Sequence, residues 1–328
     1  MSINITVIIP VYNAAPFLRK AIESALQFNE VKEVLLIEDC SPDNSLEVCK
    51  QLLQEDERIK LFQHPNNENR GASSSRNLGL KNATQEFIAF LDADDYFLPN
   101  RFKKEKELFI NQNVDGVYGA IGVHFYNKKA KKKFKKAFKT SNEIDDSYLT
   151  TVNLKIAPNN LFSALVRPRN YEGYFHLNGL TIRSSSLKKM KGYWFNEALH
   201  MHEDSDFIFR LSFYLNLSGG NLKEAVAIRG VHDNNRITNK EDFQKSKTNA
   251  FLMHEAFANW AVTEDKMDKE IKQFIINEKL YYETFQYSGI KLIKYFIVNS
   301  IKSKGYVFRR KLKVMLSPYY QQLKELIK

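Results

Sequence analysis

The chain has 328 residues, 43% of them hydrophobic and 27% charged, which excludes wholesale disorder and leaves room for one large α/β domain plus a smaller annex. Two cysteines, Cys40 and Cys49, exclude a disulfide framework or a cysteine zinc cluster and suit a reducing compartment. The net charge of +11 is concentrated in two places: +8 in Lys128–Lys139 (KKAKKKFKKAFK) and +9 from Gly289 to Lys328, so everything else is net −6. An acidic body with two basic appendages argues against a nucleic-acid groove through the core, and marks 128–139 and 290–313 as candidate peripheral membrane contacts.

The opening run Ile5–Ile9, ended by Pro10, reads as a buried strand leaving its sheet. Its MSINITVIIPVYN lacks the basic start and small-residue cleavage site of a signal peptide, and no apolar run reaches the ~18 residues of a membrane span, so the expected location is cytoplasmic. Phe17, Leu18, Ala21, Ile22, Ala25 and Leu26 repeat at helical spacing, and Val34–Ile37 is a second apolar strand closed by Ser41, Pro42 and Asp43. A helix through Leu46, Cys49, Leu52 and Leu53, a strand near 59–62, a helix over 73–81 and a strand at Phe87–Leu91 follow. Continuous apolar strands alternating with helices predict a doubly wound, mostly parallel sheet covered on both faces. The lysine segment reads as an exposed loop. Strand-like pieces at 179–183 and 226–231 flank a helix over 205–215, and helices fill the chain from about residue 241. The expected division is a domain of residues 1–240, with halves 1–126 and 127–240, and a helical region of 241–328.

Ligands of such sheets collect at the carboxyl ends of the strands. There the sequence places Pro10-Val11-Tyr12-Asn13, Glu38-Asp39 and Asp92-Ala93-Asp94-Asp95. No GxGxxG or GxxxxGK[ST] is present, so neither a dinucleotide fingerprint nor a P-loop holds a nucleotide here. Three aspartates within four residues at a strand end repel one another unless a cation neutralises them, and hard oxygen ligands suit Mg²⁺ or Mn²⁺ with a substrate phosphate completing the shell. The structural alternative is that Asp94 or Asp95 caps a helix starting near Pro99.

VIIPVYNAAPFLRKAIESAL, LLIEDCSPDNS, NRGASSSRNLGL and FIAFLDADDYFLPNR, in that order, resemble the donor-binding half of an inverting glycosyltransferase of family 2 with the GT-A fold. The likeness is close over roughly residues 3–105 and continues more weakly through GLTIRSS, LHMHEDSDF and VAIRGVHDNNRIT to about residue 238. The resemblance implies that Pro10, Val11, Tyr12 and Asn13 line a nucleobase pocket and that Asp39 accepts a hydrogen bond from the base. It implies that Arg76 organises the donor site, that Asp92 and Ala93 lie near the ribose, and that Asp94 ligates a divalent ion. The donor it implies is a nucleotide sugar of UDP type, and the acceptor a glycan or lipid-linked glycan.

Transfer from such a donor also needs a base for the acceptor hydroxyl. Glu203-Asp204 resembles the family's ED motif, which makes Asp204 the base beside Glu203; the structural alternative is the acidic first turn of a helix, and both can hold together. By resemblance His232 is a second metal ligand and Arg236 a diphosphate contact. Gly179, beside Asn178, would allow close approach of backbone to a sugar. Tyr171, Tyr174, Phe175 and Trp194 could stack on sugar faces, although core packing is the commoner role for such residues. Two other classes are to be set against the transferase: a nucleotidyltransferase or pyrophosphorylase, which would want a Gly-rich basic loop after the first strand, and a non-enzymatic anionic-surface module using the lysines.

Overall fold

The structure is a computed structural model that describes residues 2–138, 148–150, 155–167, 175–233, 235 and 243–312. Contacts divide the chain into two compact units, Met1–Lys240 and Glu241–Lys328.

The first unit contains strands β1 (Ile5–Val11), β2 (Val31–Glu38), β3 (Ile59–Gln63), β4 (Phe87–Phe90), β5 (Tyr96–Phe97), β6 (Gly116–Tyr118), β7 (Ala120–Phe125), β8 (Leu180–Arg183), β9 (Leu217–Gly219) and β10 (Ala225–Val231). Its helices are α1 (Ala15–Leu26), α2 (Ser45–Glu55), α3 (Gly71–Asn82), α4 (Lys103–Leu108), α5 (Lys128–Phe138), α6 (Pro158–Val166) and α7 (Glu203–Tyr214). Seven strands form one sheet in the order β3-β2-β1-β4-β8-β6-β9, and β5-β10-β7 form a second. Strands β3, β2, β1 and β4 run parallel, and β8 is antiparallel to both β4 and β6. The expected mostly parallel, doubly wound α/β architecture is therefore present.

Sequence explains the layering. In β1 and β2 most positions are apolar, and Ile5, Val7, Ile8, Ile9, Val34, Leu35, Leu36 and Ile37 are all fully buried, as strands covered on both faces require. Helix α1 turns Leu18, Ala21, Ile22 and Ala25 onto that sheet, with Pro16 at its first turn, where the missing N–H costs nothing. Adjacent parallel strands end together: Val11 pairs with Glu38, and Ile8 with Phe90, so the segments after β1, β2 and β4 emerge along one edge.

Three expectations need correction. The lysine segment is not a loop. Residues 128–138 form α5, which buries Ala130 and Phe134 completely against Val123 and Val231 while its lysines face outward or lie half-buried; Lys139 falls outside the described residues. Neither Asp94 nor Asp95 caps a helix, because β5 intervenes and α4 starts only at Lys103, after Phe102. Gly179 does make a close backbone approach, but to the protein. A Cβ there would lie 2.4 Å from the Gly119 carbonyl oxygen, and the Gly119 N–H donates to the Gly179 oxygen at 2.9 Å.

The second unit holds α8 (Phe243–Thr263), α9 (Lys269–Glu283) and α10 (Gly289–Lys302). Asp268 caps α9 by accepting from Glu270 N (2.9 Å) and Ile271 N (3.0 Å). Leu280, Tyr281 and Val307 form a buried cluster with Phe296 packed on it. Ile290, Ile293, Ile297 and Ile301 of α10 stay exposed, at 51–86%. No described helix is long and apolar enough to cross a membrane.

Candidate active site

The chain leaves β1 through Pro10 and Val11 into Tyr12, whose side chain is exposed, and Asn13, which adopts a left-handed φ of 52° that asparagine tolerates better than most residues. The loop after β2 holds this turn: Ser41 Oγ accepts from Asn13 N (3.2 Å), Ser45 Oγ from Ala14 N (2.9 Å) and Asp43 Oδ2 from Ala15 N (3.0 Å). Asp39 fixes the next element. Its two carboxylate oxygens accept from Arg70 N (2.6 Å) and Gly71 N (2.8 Å), satisfying the orphan donors at the start of α3. Sequence reading gave Asp39 only a ligand role. Its structural role is at least as clear, and lone pairs remain for a base.

Helix α3 carries Arg76 inward. Asn77 locks the helix to the segment before α7, donating to Phe195 O (2.9 Å) and Glu197 Oε1 (2.8 Å) and accepting from Phe195 N (3.0 Å). Arg76 is thereby buried, with its Nη2 donating to Asp92 Oδ1 at 2.8 Å and its Nη1 3.8 Å from Glu203 Oε1. This one guanidinium joins the acidic end of β4 to the acidic start of α7. Its Nε and Nη1 make no hydrogen bond, although Nη1 keeps its ion-pair distance to Glu203.

The three aspartates after β4 have separate fates. Asp92 is a quarter exposed; burial opposes its charge, but Arg76 and then His176 hold its carboxyl down to about 2. Asp94 Oδ2 lies 3.2 Å from His232 Nε2 and accepts from Asn235 Nδ2 at 2.9 Å. Asp95 is fully packed: it takes hydrogen bonds from Asn178 Nδ2 and from Gly230 N (2.8 Å), and burial followed by repulsion from Asp94 and Asp92 pushes its carboxyl well up. Asp95 is therefore a strut under the other two. Ala93 is buried between them. Gly230 makes this approach possible, since a Cβ on it would lie 2.2 Å from the Asp94 carbonyl oxygen.

His232, directly after β10, stacks on Phe17 of α1 with ring centroids 4.4 Å apart. Arg236 lies outside the described residues, as do Tyr171 and Tyr174. Among the described residues no group of three or more His, Cys, Asp or Glu side chains is placed to hold a metal ion by itself. Asp94 and His232 nevertheless fit a two-ligand share of a site: neighbouring ligands of an octahedral ion sit about 3 Å apart, close to their 3.2 Å, with the rest of the shell left to phosphate oxygens and water.

Glu203 and Asp204 open α7 after His202, whose left-handed φ of 64° turns the chain into the helix. The helix N-terminus stabilises both carboxylates. Glu203 is buried, whereas Asp204 is only half-buried and lies close enough for its charge to act on both Arg76 and His176. Asp206 belongs to the packing, paired with Arg210, which also donates to Tyr193 O and Trp194 O at 2.6 Å each. Phe175 stacks on Tyr118 in the core, so it is not a sugar platform.

Sequence reading missed His176. Its Nδ1 accepts from Asn178 N at 3.3 Å, so the neutral ring carries its proton on Nε2, 4.0 Å from Asp92 Oδ2. Burial, and next the neighbouring Arg229, bring its pKa down to about 4. The ring thus offers a neutral N–H donor between Asp92 and Asp204. A lone histidine outside any motif gave no signal. Only its spacing, two residues before Asn178, hinted at a role.

Residues 6–167 match the family described as Glycosyl transferase family 2. The chain is 35% identical over 116 residues to an uncharacterized glycosyltransferase of Haemophilus influenzae, spanning 35% of this chain and 46% of that protein. It is 28% identical over 177 residues to glycosyltransferase GlyA of Streptococcus pneumoniae, spanning 52% of this chain and 25% of that one. The chain therefore spans less than half the length of these relatives. Among solved structures, S. aureus TarS 1-349 in complex with UDP-GlcNAc superposes with a TM-score of 0.60 at 19% identity, over 93% of this chain and 81% of the other. That likeness is one of fold, GT-A-like with a helical region after it. A crystal structure of the same TarS segment with UDP gives a TM-score of 0.54 at 21% identity, covering 87% of this chain and 72% of the other.

Proposed function

We propose, from the match of residues 6–167 to Glycosyl transferase family 2, that the chain transfers a sugar, with inversion, from a UDP-type nucleotide donor to a hydroxyl of a glycan or lipid-linked glycan. The observation that carries the reading is Arg76, which ties Asp92 to Glu203 and keeps Nε and Nη1 buried without a hydrogen bond. A donor bound at the edge of β1, β2 and β4 would use them.

In this reading the turn Pro10-Val11-Tyr12-Asn13 and Asp39 receive the nucleobase. Asp92 and Ala93 lie along the ribose, and Arg236 contacts the diphosphate. Asp94 and His232 would hold a divalent ion, Mn²⁺ or Mg²⁺, which when bound would supply positive charge beside the diphosphate. Asp204 takes the proton from the acceptor hydroxyl, and its place in the first turn of α7 orients it. Glu203, held by Arg76, fixes the turn that presents Asp204. His176 donates its Nε2–H to a sugar oxygen between the two carboxylates.

The reading extends to a cytoplasmic location, with peripheral membrane contact through 290–313. Its support is the exposed row Ile290, Ile293, Ile297 and Ile301 beside Lys291, Lys294 and Lys302, as in a basic interfacial helix. Residue 313 lies outside the described residues.

The test is a panel of nucleotide sugars assayed for donor hydrolysis and for transfer to glycan acceptors with Mn²⁺ present. Turnover of one UDP-sugar by the native chain, lost in Asp204→Asn, is expected. Turnover of nucleoside triphosphates with sugar phosphates, and of no UDP-sugar, would show a nucleotidyltransferase instead.

A further inference from the structure

Helix α5 has one apolar side and one lysine-rich side. Its apolar side is spoken for: Ala130 and Phe134, four residues apart, are fully buried with Val123 and Val231, and Phe125 and Tyr148 pack around them. The opposite side carries Lys128, Lys132 and Lys136, all exposed and spaced at four-residue intervals, so they share one face with an axial rise of about 6 Å from each to the next. No acidic residue interrupts the helix. Among the described residues the only carboxylate paired with its lysines is Asp233, 3.8 Å from both Lys129 and Lys133.

That pairing fixes where the row lies. Asp233 follows His232, whose ring is 3.2 Å from Asp94. Strand β7, from which α5 emerges, also lies parallel beside β10, with Phe125 opposite Val231. Helix α5 is therefore joined through Asp233 to the segment that carries His232 beside Asp94. Lys128, Lys132 and Lys136 lie on its exposed side, away from Ala130 and Phe134.

Resting on the transferase reading, we propose that α5 is a binding track for an anionic acceptor: a glycan or polyol chain bearing a phosphate or carboxylate in each repeat, whose growing end enters the crevice while its earlier repeats lie along Lys128, Lys132 and Lys136. Against a bilayer stands the outward face of α5, which offers no described apolar side chain for insertion, unlike α10. Against nucleic acid stands the lack of any described outward aromatic on α5 for base stacking.

The test uses the full chain and the triple variant Lys128→Gln, Lys132→Gln, Lys136→Gln, none of which touches Asp233. Fluorescence anisotropy would follow binding of labelled oligogalacturonate and a glycerol-phosphate oligomer, each about ten units long, with dextran of equal length, oligo(dT) and phosphatidylserine vesicles as comparisons. The expected result is binding of both anionic oligomers but not dextran, weakening steeply with salt, and lost at least tenfold in the variant while UDP affinity is unchanged. Equal binding by the variant, equal binding of dextran, or tighter lysine-dependent binding of oligo(dT) or vesicles would overturn the track. Failure of the native chain to bind UDP with Mn²⁺ would overturn the transferase reading instead, so the two failures are distinct.

Discussion

Replacing Arg76 with methionine removes the charge that joins the two acidic elements and keeps much of the side-chain volume. Arg76 lies 2.8 Å from Asp92 and 3.8 Å from Glu203. Burial raises the Asp92 pKa, yet Arg76 and His176 bring it from 3.8 to about 2, a shift equivalent to about 2.5 kcal/mol. Breaking a buried pair by removing one partner costs about 3–5 kcal/mol, and removing two buried donors that make no hydrogen bond returns about 1–2, so a net loss of about 2–3 kcal/mol is expected at pH 7. The pH dependence follows from the sign. A depressed carboxyl contributes stability above its unfolded pKa near 4 and loses it as pH falls through about 2. In Arg76→Met burial dominates and Asp92 titrates above its ordinary value, so the deficit should narrow between pH 7 and 4. The two tryptophans make this measurable, since Trp194 lies in the first unit and Trp260 in the second. In a Trp260→Phe background, Trp194 fluorescence during urea unfolding reports the first unit alone. A deficit below about 0.5 kcal/mol at pH 7, or one unchanged when Asp92→Asn is added, would refute the reasoning.

Four further outcomes are expected. Asp204→Asn should lower transfer at least a hundredfold while UDP binding and the urea midpoint stay within error, read by product assay and calorimetry. Gly230→Ala would force a methyl to 2.2 Å from the Asp94 carbonyl oxygen, so it should cost about 1–3 kcal/mol and weaken metal-dependent UDP binding more than its loss of stability accounts for. His176→Asn should make the protein more acid-tolerant: the folded histidine resists protonation down to about 4, so native stability falls by up to about 3 kcal/mol as pH drops from 6.5 to 4, and the variant should lack that fall in a urea series. Phe134→Ala should destabilise α5 by about 3–4 kcal/mol, seen as a lowered urea midpoint.

The sheet was legible because its strands are covered on both faces, so Ile5–Ile9 and Val34–Ile37 read as unbroken apolar runs between helices. The aspartates after β4 stood out for the same reason, as charges set against an apolar strand. What the sequence hid was geometry across long separations. Asp95 and Asp94 are chemically alike in sequence, and only packing against Asn178 and Gly230 makes one a strut and leaves the other at the crevice. Helix α5 was masked by its own lysines; among its described side chains Ala130 and Phe134 mark the inward face. Gly179 signalled a close approach correctly but not to what. Arg76 as the link between Asp92 and Glu203 depends on contacts spanning well over a hundred residues of sequence, which no local pattern records.

The most direct test of the donor site is a calorimetric titration of UDP into the full chain, with and without Mn²⁺, for the native protein and Asp94→Asn. Binding that requires Mn²⁺ and weakens about a hundredfold in the variant is the expected result; binding of equal strength with and without the ion, or in both proteins, would contradict a metal-held diphosphate at Asp94.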